Sequence, residues 1–217
     1  MSADDIVISA VVEGDIDQAV IQRLIQHSGA VLGPVYGKNG KQALRRNING
    51  YNNAARYSPW VILVDLNHEA DCAPILKQQW LGNPGQFLCF RVAVREIESW
   101  LLADQENLSK FLRLSRQRIP SNPEAVVNPK EVMVNLARRS RLRAIREDMV
   151  PRPGGGRIVG PAYSSRLIEF VTGQHDPWRP EIASQVSDSL NRCLRCLGSI
   201  IQLWKNKISN SAERPSD

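Results

Sequence analysis

Between Asp5 and Asp104, short apolar runs alternate with stretches in which apolar residues recur at helical spacing. Asp5 to Val12 is rich in β-branched residues and predicts a strand. Ile16, Val20, Ile21, Leu24 and Ile25 follow the helical period, with Asp17 in the first turn and Gly29 as the stop. Ala30 to Tyr36 predicts a second strand, and a polar, basic helix follows through Ala43, Leu44, Ile48 and Tyr51. Trp60 to Asp65 is almost wholly apolar, as a central parallel strand requires. Ala73 to Leu81 reads as helix, Asn83-Pro84-Gly85 as a turn, Phe87 to Val94 as a fourth strand, and Glu96 to Asp104 as the next helix. This alternation predicts an α/β fold, Rossmann-like, with a mostly parallel sheet flanked by helices.

The pattern changes after Asp104. No strand is predicted, and helices are expected at Leu108 to Leu114, Pro129 to Arg146, Ser164 to Val171 and Ser187 to Trp204. Pro151 to Arg157 is a loop by composition. The expected organisation is an α/β domain over 1–106, a mainly helical extension packed on it over 107–207, and a flexible tail over 208–217. There is no internal repeat.

With 217 residues and 42% hydrophobic content, the chain can build a normal core. Its formal net charge of +6 suits a polyanionic partner. No run approaches the roughly 20 apolar residues of a membrane span. Met1-Ser2-Ala3-Asp4-Asp5 lacks the layout of a signal peptide, so a cytoplasmic location without membrane contact is expected. Cys72, Cys89, Cys193 and Cys196 make no disulfide framework. Cys193 and Cys196 have half a zinc spacing but no second pair. They sit in an apolar helical pattern and are read as core.

The predicted first and third strands both end in acid: Val11-Val12-Glu13-Gly14-Asp15-Ile16-Asp17 and Val61-Ile62-Leu63-Val64-Asp65. Side by side in a parallel sheet, Glu13 and Asp65 share one crevice. Neighbouring carboxylates repel and take up a proton or a cation. For hard oxygen ligands that cation is Mg²⁺ or Mn²⁺, which points to phosphoryl chemistry. Gly14 is read as a tight turn, and Asp15 as a helix cap. Asp65, Asn67 and Glu69 fall on one side if the strand continues; a turn there would scramble them. His68 is read as a surface or capping residue. Glu98 lies near the crevice if it opens its helix, Glu96 is a helix N-terminal charge, and Trp100 is core.

These motifs resemble the Toprim fold, shared by primases, topoisomerases and OLD-type nucleases. Val12-Glu13-Gly14, with Asp17 following, resembles its first motif. Asp65-Leu66-Asn67 resembles its Asp-x-Asp motif, with Asn in place of the second Asp and Asp71 as the substitute carboxylate. The Glu98 to Asp104 segment and Gly160-Pro161-Ala162-Tyr163 resemble stand-alone bacterial Toprim-like proteins of unknown function; several Toprim-like proteins occur in phage-defence contexts, so the resemblance also implies such a role. The resemblance implies a Mg²⁺-dependent nuclease or related phosphotransfer enzyme. Glu13, Asp65 and Glu98 would be catalytic, and Glu13, Asp17, Asp65, Glu69 and Asp71 would hold metal. Asn67 lowers the negative charge of the site and opens a second reading: a degenerate Toprim module that binds nucleic acid or a partner protein. A phosphatase or small-nucleotide hydrolase is a third.

Two basic elements fit a nucleic-acid partner. Gly37-Lys38-Asn39-Gly40-Lys41 has the general form of a phosphate cradle, or of an ordinary Gly-rich turn, and is no P-loop. Arg138, Arg139, Arg141, Arg143 and Arg146 form the densest basic run, either a phosphate grip or a solvated face with Glu147 and Asp148. Arg152 and Arg157 flank the Gly-rich loop and extend the same expectation. A partner protein or homo-oligomer is also expected.

Overall fold

A computed structural model describes residues 5–67, 69–154 and 156–212. Four parallel strands, β1 (Val7–Val12), β2 (Val31–Gly37), β3 (Trp60–Asp65) and β4 (Leu88–Ala93), form one sheet in the order β2-β1-β3-β4. They alternate with α1 (Asp15–His27), α2 (Lys41–Ala54) and α3 (Ala73–Trp80). The chain steps from β1 outward to β2, then returns to place β3 on the other side of β1. The boundary between β1 and β3 is therefore a topological switch point, where the crevice beyond the carboxyl ends of the strands opens.

Alternation along β3 splits its side chains between two apolar layers. Val61 and Leu63 join Ile8, Ala10, Val12 and α1 on one face; Ile62 and Val64 join Val11, Leu44 and Leu76 on the other. This two-faced burial is why β3 reads as a continuous apolar run. The first layer continues through α4 (Glu98–Ala103), α5 (Gln105–Phe111), α6 (Pro129–Arg138), α7 (Arg143–Met149), α8 (Tyr163–Thr172), α9 (Pro180–Ala183) and α10 (Asp188–Ala212). The helical region thus shares one core with the sheet. Trp100 lies at its centre, fully buried, with its indole N–H on Ser189 Oγ at 2.7 Å. The α5 N-cap Asp104, also buried, holds Arg179 through two parallel hydrogen bonds of 3.0 and 2.7 Å.

Several expectations are corrected. The helix expected over Pro129 to Arg146 is broken between Arg138 and Arg143. There Ser140 is buried, and its Oγ accepts the Leu142 N–H at 3.1 Å, offering the backbone an alternative to the helical ladder. The arginine run is therefore split over two short helices and a turn. Gly14 is extended (φ −152°), a conformation open to any residue, so no tight turn requires glycine there. The last helix continues to Ala212, past the expected start of the tail; the rest of the tail, His68, Gly155 and Met1 to Asp4 lie outside the described residues. Among the described residues, no helix is long and apolar enough to cross a membrane.

Candidate functional site

At the switch point, Glu13 follows β1 and Asp65 ends β3. Glu13 Oε1 accepts the Asp65 backbone N–H at 2.9 Å, so this carboxylate ties the two strand ends together. Asp17, in the first turn of α1, accepts the Gly14 N–H at 2.8 Å and is buried. Glu98 opens α4 and is only 1% exposed. Its Oε1 accepts the Tyr163 hydroxyl at 3.0 Å, while its Oε2 is buried without a hydrogen-bond partner among the described residues. An ionised oxygen left so is costly, and calls for a cation, a water or a proton.

The four carboxylates act on one another. Burial, opposed by the Asp65 N–H and Lys41, holds Glu13 above its usual range. Burial and then the charge of Glu13 push Asp17 up to about 7. Burial, then Asp17, Glu98 and Glu13, push Asp65 well above the carboxylate range. Glu98 is raised by burial, with Lys130 pulling the other way. Burial and Glu98 also hold the Tyr163 hydroxyl well above its usual range, which keeps it a donor.

Two lysines partly balance this charge. Lys130, in the first turn of α6, lies 3.7 Å from Glu98 and 3.3 Å from Glu96. Burial draws its ammonium down, but Glu98 and Glu96 outweigh that and the net shift is upward. Glu96 also accepts the Lys130 backbone N–H at 2.9 Å, so it caps α6 rather than its own helix. Lys41, at the start of α2, donates to the Asp65 carbonyl and pairs with Glu69 at 2.6 Å. Four inner carboxylates beside two cations leave a net deficit of positive charge.

Neither a protein-family profile, a curated protein nor a solved structure matches this chain.

The remaining candidates are dispersed. Asn67 adopts a left-handed conformation (φ 49°) and donates its N–H to the Arg95 carbonyl at 2.7 Å. That turn ends the strand and removes the expected same-side alternation of Asp65, Asn67 and Glu69. It also accounts for Asn at this position, since Asn tolerates the left-handed region better than most residues. Glu69 is exposed and taken by Lys41, and Asp71 lines a different cavity, beside Arg91 and Arg95. Lys38 pairs with Asp15 at 3.0 Å, so both lysines of the Gly-rich turn face carboxylates. Gly37 in that turn is required: its φ is +93°, and a Cβ would lie 2.3 Å from the Val12 carbonyl oxygen.

Arg138 bonds Asn135 at 2.6 Å and lines a cavity with Lys130 and Glu96. Arg143 pairs with Glu147, and Arg146 turns back to the Ser140 carbonyl. Arg139, Arg141, Arg152 and Arg157 are exposed and carry no ion pair among the described residues. Sequence reasoning missed Lys130 and gave Tyr163 no role. The only local signal for Lys130 is the Asn128-Pro129 helix start, which places it in a first turn; nothing in the chain links it to Glu98. Tyr163 reaches Glu98 because Gly160 packs against the end of α7, where a Cβ would meet the Asp148 carbonyl oxygen at 2.3 Å.

Proposed function

We propose that this protein is a Mg²⁺-dependent phosphodiester hydrolase of Toprim-like design acting on nucleic acid. The observation that carries the reading is the carboxylate group at the switch point, buried at Asp17 and Glu98 and half-buried at Glu13 and Asp65, with Glu98 Oε2 lacking a hydrogen-bond partner among the described residues. The donor set fits a hard divalent ion: all oxygen, mutually repelling and short of positive charge. Among the described residues no three His, Cys, Asp or Glu side chains stand as a ready cage. Mg²⁺ commonly uses one or two carboxylates and keeps several waters, so Asp65 and Glu98 would be the residues to hold it, with water completing its shell. Bound there, the ion would supply Lewis-acid polarisation of a phosphoryl oxygen and a more acidic water.

The protein's own groups have separate tasks. Glu13 holds the ends of β1 and β3 at fixed spacing through the Asp65 N–H. Tyr163 orients Glu98, leaving the other oxygen free toward the ligand. Lys130 neutralises part of the carboxylate charge and presents an ammonium to a phosphate. Asp17, which burial and Glu13 push up to about 7 in the metal-free site, adds a carboxylate whose proton a cation there would displace.

The test is incubation of supercoiled plasmid and single-stranded DNA and RNA with Mg²⁺, Mn²⁺ or EDTA, alongside Glu98→Gln and Asp65→Asn. Metal-dependent cleavage lost in both variants supports the reading, and its absence with every substrate sinks it. One observation favours a binding module instead. Glu13 and Asp17 already spend oxygens on backbone N–H groups, as purely structural carboxylates do. Binding of nucleic acid without turnover, unchanged in Glu98→Gln, is the outcome that reading expects.

A further inference from the structure

A second cavity, of about 590 Å³, opens beside the edge strand β4, between the first turns of α3 and α10. Leu66, next in the chain to Asp65, and Arg95, next to Glu96, both line it. The cavity therefore begins at the same carboxyl edge of the sheet as the carboxylate centre.

Its charge is of the opposite sign. Lys77 on α3, Arg91 in β4 and Arg95 just beyond β4 line it, and none has a carboxylate partner among the described residues. The Nε of Arg91 is buried and makes no hydrogen bond among the described residues. An acceptor from outside the described residues would complete this N–H. Burial, and then Arg91, hold the Lys77 ammonium below its usual range, so two like charges stand near each other. The Cys196 thiol, drawn down to about 7 by Cys89 and by Arg91 and Lys77, offers these cations part of a negative charge.

The acids of the cavity are fewer than its cations, and they have partners of different kinds. Asp188 pairs with Arg192 at 2.7 Å. Glu124 Oε1 accepts both the Ser187 and Ser189 hydroxyls and the Ser189 N–H, closing the start of α10. Only Asp71 remains. By contrast α3 opens onto the cavity without a side-chain cap, and its first turn carries no acid. Arg95 is held at φ 66°, with its carbonyl tied to the Asn67 N–H, a strained turn at the cavity rim.

A guanidinium with an unmade N–H, an ammonium and an uncapped helix start match a tetrahedral oxyanion with several acceptor oxygens. We propose that this cavity is a phosphate-binding site, in which Arg91, Lys77 and Arg95 hold a phosphate of the nucleic-acid strand on which the carboxylate centre acts. The assignment to a strand rests on the function proposed above. The same chemistry would also take the phosphate of a free nucleotide, and the test separates the two.

The probes are a fluorescein-labelled single-stranded oligonucleotide, followed by anisotropy in EDTA, and a mononucleotide and inorganic phosphate as competitors. The variants are Lys77→Gln/Arg91→Gln and, sparing the part-buried Arg91, Lys77→Gln/Arg95→Gln. Each double variant is expected to weaken oligonucleotide binding about tenfold or more and to lower its salt dependence by about two charges. Thermal melts and circular dichroism verify that each is folded, and a folded variant with parental affinity overturns the proposal. Competition by the mononucleotide at far lower concentration than by the strand assigns the site to free nucleotide and overturns the strand role. A parent that cleaves while both variants bind normally removes the cavity alone. A parent that binds through these residues but never cleaves removes the enzymatic reading and leaves the phosphate site standing.

Discussion

Asp17 shows how one side chain couples stability to pH. Its folded pKa rises from 3.8 to about 7, because burial and Glu13 disfavour its charge. A group raised on folding binds more protons in the native state between those values, so its contribution is full below about 4 and is lost as pH rises through about 7. At 1.36 kcal/mol per pH unit the loss amounts to about 4 kcal/mol at most, shared with its repelling neighbours. The metal-free protein is expected to melt at a higher temperature at pH 5 than at pH 8. Asp17→Asn keeps an oxygen for the Gly14 N–H and removes the charge. It should stabilise the metal-free fold at pH 8 by about 1–3 kcal/mol and flatten the profile, as followed by denaturant titration. A variant that destabilises at pH 8 would contradict this electrostatic picture. Tyr163→Phe tests the other end of the site. Loss of the hydroxyl removes the hydrogen bond to Glu98 Oε1, leaving it only the Lys130 ammonium at 3.7 Å, and should cost about 1–3 kcal/mol at pH 8, less at pH 5, where Glu98 is more fully protonated.

At the scale of elements, the strands and the first helices were legible because their burial is local and periodic. β3 buries both faces and reads as an apolar run; α1 buries one face and reads at helical spacing. The break between α6 and α7 was not legible, because the helical spacing of apolar residues continues across it. What stops the helix is a buried Ser140 whose side chain competes for backbone N–H groups. The approach of Gly160 to α7 is equally non-local. Gly160→Ala would drive a Cβ into backbone atoms of Asp148 and Met149, which cannot move aside as a side-chain tip can. A loss of about 1–3 kcal/mol in chemical denaturation is expected, together with a longer Tyr163–Glu98 hydrogen bond.

At the scale of the molecule, the helical region does two things the sheet cannot. It completes one core with it, and it delivers Lys130 and Tyr163 to a crevice built by β1 and β3. The Asp104–Arg179 pair locks this arrangement, with Asp104 fully buried. Arg179→Met should destabilise the whole fold by about 3 kcal/mol or more, since it strands a buried carboxylate, and the unfolding transition should remain single. Addition of Mg²⁺ at pH 8 should raise the melting temperature of the parent, with the rise lost in Asp65→Asn and reduced at pH 5 as the ligands protonate. An equal rise in Asp65→Asn would place the ion elsewhere.

The sequence by itself determined the α/β alternation, the two acid-tipped strands and a helix beginning around Glu96 to Glu98, because each follows from spacing within a single element. Only the tertiary structure decided which carboxylates meet. Glu13, Asp17, Asp65 and Glu98 converge because β1 and β3 are neighbours and α4 begins above them, while Asp71, only a short loop from Asp65, falls into another cavity after the left-handed turn at Asn67. The cations that face them come from α2 and α6, and the phenol from α8. Such contacts depend on how layers pack, and periodicity along one chain carries no record of a neighbour brought by folding.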